Sequence, residues 1–206
     1  MPDFLLEDEV NGVVAGVDEA GRGPWVGPVV AGCAVFLSRE VDERLLLNLN
    51  DSKKLSKKKR EMLYELLQQE KAKGTMLIGI GAASAQEIDE INILNASFLA
   101  MKRAIAAAGA KPDLVLVDGN REPKDFGFKC KAVVKGDAKS YSISAASILA
   151  KVYRDRLLEE MAQKYSGYGF EKNAGYGTKA HIEGLKQFGV TPEHRKSYAP
   201  VKEFLK

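Results

Sequence analysis

Gly12-Val13-Val14-Ala15-Gly16-Val17-Asp18-Glu19-Ala20-Gly21-Arg22-Gly23 joins a short apolar run to two acids and then to a glycine loop. A short run rich in valine and stopped by a charged turn predicts a buried strand ending on Asp18. Outward from it, Val26 to Leu37 reads as a second strand, so the two are expected to pair as a hairpin around Ala20 to Pro28. Asp113-Leu114-Val115-Leu116-Val117 repeats the pattern and also ends on an aspartate, Asp118. Thr75 to Ala83 reads as another strand, broken by Gly79 and Gly81, and Lys131 to Val134 as a short one before Gly136 and Asp137.

Helices fill the intervals. Ser56 is placed to cap a helix running to Lys73, with Met62, Leu63, Leu66 and Leu67 as its apolar stripe. Ser84 opens a short helix through Ile88, with Glu87 positioned for a capping box. Asn95 to Ala108 is a further helix, closed by Gly109. The longest is expected from about Ser140 to Lys164, with Leu149, Tyr153, Leu157 and Met161 marking its buried face. Beyond it the chain turns rich in Gly and Tyr over Tyr165 to Tyr176, forms a helix from Thr178 to Phe188, and ends in a basic, Pro-punctuated stretch. The expectation is one α/β unit, ordered from near Gly12, whose C-terminal quarter is a helical extension.

Composition bounds the answer without giving it. The 206 residues fit one domain, and 45% hydrophobic content supplies a sizeable core. A formal net charge of +3 says little. Its distribution says more: residues 51–60 carry Lys53, Lys54, Lys57, Lys58, Lys59 and Arg60 against one acid. Two isolated cysteines, Cys33 and Cys130, suggest neither a disulfide framework nor a zinc site. With no basic-then-apolar leader and no apolar run of about 18 residues, a cytoplasmic protein without a membrane span is expected. Nothing reveals an oligomer, so the default is a monomer.

Chemistry points to the acids. In open α/β sheets, sites gather beyond the carboxyl ends of strands, where Asp18 and Asp118 are placed to converge. Asp137 joins them if its helix packs across that edge. Taken singly, an Asp after a strand is most often a turn residue. Clustered carboxylates resist ionising together, and a divalent cation removes that conflict. Oxygen-only ligands favour Mg²⁺ or Mn²⁺, and a pair of such ions suits phosphodiester hydrolysis. The Gly21-Arg22-Gly23 loop lets backbone approach a sugar or phosphate closely. A mononucleotide-binding loop is disfavoured, since no Gly-x-Gly-x-x-Gly opens a helix and no Gly-Lys-Ser/Thr follows.

Six motifs in order then resemble the type 2 ribonucleases H. They are Asp18-Glu19-Ala20-Gly21-Arg22-Gly23 with Gly27-Pro28-Val29, Asp51-Ser52-Lys53-Lys54-Leu55-Ser56, Leu116-Val117-Asp118-Gly119, Lys135-Gly136-Asp137 with Ser144 to Lys151, Gly175-Tyr176-Gly177-Thr178-Lys179-Ala180-His181, and His194-Arg195. The resemblance runs from about Val13 to Pro200. It implies a ribonuclease H-like mixed sheet flanked by helices, with residues 1–164 as the catalytic domain and 165–206 completing the substrate groove. It also implies an endonuclease that cuts 5′ to ribonucleotides in RNA/DNA hybrids and in DNA duplexes with embedded ribonucleotides, leaving 3′-OH and 5′-phosphate ends.

The same resemblance makes Asp18, Glu19, Asp118 and Asp137 the catalytic and metal-binding acids of a two-ion site taking Mg²⁺ or Mn²⁺. Asp18 is expected to bridge the ions, with Glu19 and Asp118 completing one site and Asp137 the other. Gly21, Arg22 and Gly23 become the ribose-reading loop and Tyr176 a sugar-stacking ring. Lys53, Lys54, Arg22, Lys139, Lys179, His181 and Arg195 are expected to contact phosphates, which would position a duplex without reading its bases. Other readings stay open on the residues alone. An integrase or junction resolvase would share the acids but act on DNA only, and a non-enzymatic nucleic-acid binder would cut nothing.

Overall fold

The computed structural model describes residues 1–205. Five strands form one mixed sheet: β1 (Val14–Ala20), β2 (Val29–Phe36), β3 (Met76–Ala83), β4 (Leu114–Asp118) and β5 (Cys130–Val133). Their spatial order is β3-β2-β1-β4-β5. β1 and β2 pair antiparallel as a hairpin, with Asp18 opposite Gly32, and β2 and β3 continue antiparallel. β4 lies parallel to β1, and β5 parallel to β4. The second strand starts at Val29 rather than Val26. Val26 instead makes a bridge with His194, which takes it off the sheet.

Among the described residues, eight α-helices join the strands, α1 (Leu5–Asp8), α2 (Glu43–Asn48), α3 (Lys57–Lys73), α4 (Ala85–Ala108), α5 (Tyr141–Lys164), α6 (Phe170–Asn173), α7 (Lys179–Phe188) and α8 (Ala199–Lys202), with two 3-10 turns, Ser52–Lys54 and Gly136–Ala138. The sheet is covered on both faces, and period-two alternation sorts its residues. Ala15, Val17, Ala31, Cys33, Val115 and Val117 face α4, packing on Ala96, Ala100 and Ile105. Ala34, Met76 and Ile78 face α3 and α5, against Leu63, Leu67, Ile148 and Leu149. Val14, Leu114 and Leu116 meet Ile143 at the start of α5.

Local signals explain the helix ends. Ser56 caps α3, and Ser84 with Glu87 forms a reciprocal capping box on α4. Gly74 and Gly109 close these helices in the left-handed conformation. The two helices expected around Ile88 and Asn95 are joined end to end as α4, broken at Asn92 (φ 66°), whose side chain accepts from the Leu94 and Asn95 amides.

Two expectations need correction. The stripe expected on α5 fails, because Tyr153 is exposed and Leu157 only half-buried, while Ser142 to Ala150 is buried throughout. The helix enters the core at its N-terminus and leaves it along its length, so no single stripe describes it. Order also begins before Gly12. Phe4 packs against Phe36 and Tyr141, and Glu7 is buried, accepting from Ser140 Oγ (2.6 Å), Ser142 N–H (2.9 Å) and Ser142 Oγ (2.7 Å). The N-terminal segment thereby fastens the start of α5, next to Asp137.

After Lys164 the chain forms a smaller cluster of its own. Tyr168, Phe170 and Leu185 pack with Val26 from the β1–β2 connection and Leu158 from α5. This places Tyr176 and the loop after Ala20 on the same side of the molecule.

Candidate active site at the carboxyl edge of the sheet

β1 and β4 run parallel and adjacent, so both deliver an acid to the same sheet edge. Asp18 is buried near the end of β1, and its Oδ1 accepts from the Glu19 N–H at 2.6 Å. Asp118 ends β4, half-buried, and its Oδ1 accepts from the Gly136 N–H at 2.7 Å. That bond draws in the 3-10 turn Gly136–Ala138, which carries Asp137. Lys135 takes a left-handed backbone (φ 56°) to make the turn.

The acids feel one another. Burial first, then repulsion from Glu19, Asp118 and Asp137, holds the Asp18 carboxyl well above the usual carboxylate range. Burial also raises Glu19, outweighing the pull of Arg22, whose Nη1 lies 3.2 Å from Glu19 Oε1. Asp137 is pushed up to about 6 by burial, by Asp118 and by Asp51, against a smaller opposing effect of Lys53. The structure therefore gathers Asp18, Glu19, Asp118 and Asp137 into one mutually repelling group. Asp51, the cap of the 3-10 turn Ser52–Lys54, stands at its margin.

Among the described residues, no three acid, histidine or cysteine side chains close around a point as a ready metal cage. An open set of oxygen donors is what Mg²⁺ or Mn²⁺ accepts, since such ions keep several waters and take substrate phosphate oxygens as ligands. The unrelieved repulsion at Asp18 fits a site built for positive charge.

A cleft of about 290 Å³ opens over Asp18 and Glu19. Gly21, Arg22, Gly23, Lys53 and Tyr176 line it, so the expected ribose loop, basic contact and stacking ring share one wall system. Tyr176 is 52% exposed, and a Cβ on Gly23 would lie 3.2 Å from its ring. A smaller hollow on the far side of the Glu19–Arg22 pair is lined by Asp118, Asn120 and Arg121. Ser52, Ser147, Lys151 and Arg154 also border the main cleft. The sequence reading gave them no role, although Ser147 and Lys151 fall four apart on α5 and so share a helix face.

Not every expected phosphate contact reaches the surface. Lys53, Lys54, Lys139, Lys179 and Arg22 are exposed. His181 and Arg195 are wholly buried, so the expectation that they touch phosphate is overturned. His181 Nδ1 donates to the Tyr176 carbonyl (3.0 Å), and its Nε2 meets His194 Nε2 at 2.9 Å. His194 Nδ1 accepts from the Thr191 N–H and hydroxyl. One proton placement satisfies every contact: His181 protonated on Nδ1 and His194 on Nε2, both rings neutral. Arg195 donates to backbone carbonyls of the loop after Ala20. Basic character is visible in a sequence, but the carbonyls that bury it are not.

The chain and its fold are similar to known proteins. Residues 15–201 match the family model described as Ribonuclease HII. The chain is 49% identical over 207 residues to the Ribonuclease HII of Paramagnetospirillum magneticum, covering 100% of this chain and 99% of the relative. It is similar to the crystal structure of ribonuclease H2 from Pyrococcus horikoshii OT3, with a TM-score of 0.72, 33% identity, and coverage of 93% and 96% of the two chains. Bst-RNase HIII, solved in complex with Mn²⁺, shares the fold at a TM-score of 0.68 and 16% identity, over 93% of this chain and 68% of that one.

Proposed function

From the premise that this chain belongs to the ribonuclease HII family and is a ribonuclease H enzyme, we propose that it hydrolyses the phosphodiester bond 5′ to a ribonucleotide. Its substrates on this reading are RNA/DNA hybrids and DNA duplexes with embedded ribonucleotides, and it leaves a 3′-OH and a 5′-phosphate. The observation that carries the reading is a group of four repelling carboxylates, two of which, Asp18 and Glu19, floor a cleft walled by a glycine loop and a tyrosine.

Asp18, Glu19, Asp118 and Asp137 are the residues that would hold two divalent cations, Mg²⁺ or Mn²⁺. Bound there, such ions supply an activated water and neutralise charge on the leaving oxygen. The chain's own residues do the rest. Backbone groups of Gly21 to Gly23 approach the 2′-hydroxyl, which is both donor and acceptor and separates RNA from DNA. Tyr176 stacks on the neighbouring sugar and favours one without that hydroxyl. Lys53 and Arg22 hold phosphates, which fixes the duplex in register without reading its sequence. Residues 165–206 serve as the extension that brings Tyr176 to the groove.

Asp18→Asn and Asp137→Asn test the assignment. Each is expected to abolish metal-dependent cleavage while duplex binding, measured in chelator, stays within about threefold, because phosphate contacts dominate affinity. Wild-type turnover in either variant would contradict it.

A further inference from the structure

Arg195 is a cation with 0% exposure, and no carboxylate pairs with it among the described residues. Burying a charge without a counterion is costly, so what it binds instead matters. Its Nη2 donates to the Gly21 carbonyl (2.5 Å), its Nη1 to the Arg22 carbonyl (2.8 Å) and its Nε to the Gly27 carbonyl (3.0 Å). The Tyr198 hydroxyl accepts from Nη1 (3.0 Å) and donates to the same Arg22 carbonyl (2.7 Å). All three carbonyls belong to the connection between β1 and β2.

Peptide planarity converts these bonds into a statement about the cleft. In a trans peptide, a carbonyl and the N–H that follows it point in opposite directions. Turning the Gly21 and Arg22 carbonyls inward therefore turns the Arg22 and Gly23 N–H groups outward. Neither N–H donates to a protein acceptor among the described residues. They emerge beside Tyr176, on the wall of the cleft that also holds Asp18 and Glu19. Gly21 itself sits at φ +97°, and a Cβ there would meet the Arg154 side chain at 1.9 Å.

We propose that Arg195 is a positioning residue that sets ribose selectivity from behind the loop. By clamping the Gly21 and Arg22 carbonyls it fixes two successive N–H groups at the spacing and direction a 2′-hydroxyl oxygen or adjoining phosphate oxygen meets. The proposal rests on the function argued above and deepens it. Arg195 touches no substrate. It acts on the reader and not on the acids, so its loss should erode discrimination before it erodes binding.

The test uses the full chain and two duplexes, one all-DNA and one with a single ribonucleotide. Arg195→Ala, Arg195→Lys and Tyr198→Phe are compared with wild type for cleavage, for binding of both duplexes in chelator, and for thermal unfolding. For Arg195→Ala, kcat on the ribonucleotide duplex is expected to fall about 10- to 100-fold, the scale of losing oriented hydrogen bonds to charged groups. Its affinity for all-DNA duplex should stay within about twofold, since phosphate contacts remain. Arg195→Lys should recover part of the loss, because an ammonium reaches some of the carbonyls. Tyr198→Phe keeps the guanidinium and should lose about three- to tenfold, as expected for one hydrogen bond. Equal loss of affinity for both duplexes, or an unchanged kcat on the ribonucleotide duplex in Arg195→Ala, overturns the proposal. If Arg195→Ala does not fold, Tyr198→Phe decides, and unaltered cleavage there overturns it. A wild-type enzyme indifferent to the ribonucleotide overturns the functional reading, and the proposal with it.

Discussion

Asp18, Glu19, Asp118 and Lys53 show how much a single position reveals. An acid at the end of a buried strand can be recognised from the valines before it, and the parallel pairing of β1 with β4 makes two such acids neighbours. Asp137 is different. Its approach depends on the Asp118–Gly136 bond and on the left-handed Lys135, neither of which has a sequence signature. His181 and Arg195 misled for the converse reason. A basic residue near a nucleic-acid motif looks like a phosphate ligand until the carbonyls and rings that enclose it are seen. Lys53 is exposed in the lining of the cleft, its charge offsets part of the rise in the Glu19 and Asp137 carboxyls, and a phosphate contact is proposed for it. Lys53→Ala is expected to reduce the salt slope of duplex binding by about one, the signature of one lost phosphate contact. Binding titrations across salt concentrations check it, and an unchanged slope would remove Lys53 from the interface.

At the scale of elements, strands and caps were legible because their causes are local. Ser56, Ser84, Gly74 and Gly109 each perform the end-capping job their residue type predicts. Packing was less legible. Gly79 and Gly81 look like interruptions of β3, yet they lie two apart on one face and let α4 approach the strand. A Cβ at Gly79 would stand 2.3 Å from the Ala104 carbonyl oxygen, and one at Gly81 2.3 Å from that of Ala100. The obstacle is helix backbone, which cannot turn aside like a side chain. Gly79→Ala should therefore destabilise by about 1–3 kcal/mol, the usual cost of overpacking. In a chain of this size that lowers Tm by roughly 2–4 °C per kcal/mol. A thermal melt checks it, and an unshifted Tm would mean that α4 rides more loosely on the sheet than described. The α5 stripe failed for a related reason: a helix that plunges into a core shows no steady periodicity.

Across the whole molecule, the site is assembled from distant stretches: the two strand ends, the turn before α5, and the C-terminal cluster that carries Tyr176. The buried His181–His194 pair belongs to that last joint, and it gives the fold a pH dependence. Burial lowers both rings, His194 to about 4 from 6.5, with repulsion from His181 as a further cause. Above pH 6.5 both folded and unfolded chains leave these rings neutral, and the pair's contribution is complete. As pH falls toward 4, the unfolded chain takes up protons that the folded one refuses, so stability is lost through that window. The raised carboxyls act in the opposite sense, because Asp137 binds its proton in the fold near pH 6. His194→Gln separates the two effects. Its urea midpoint should fall less than that of wild type between pH 6.5 and 4. Parallel curves would show that the histidines do not titrate as described.

On the proposed function, one cleft joins a metal-dependent hydrolytic centre to a reader of ribose. A labelled DNA duplex with one ribonucleotide, beside an all-DNA control, in Mg²⁺, Mn²⁺ or chelator, measures both halves at once. A single metal-dependent cut on the 5′ side of the ribonucleotide, with the control intact, is the predicted result. Cleavage of the all-DNA duplex, or no cleavage of the ribonucleotide duplex in either metal, would contradict it.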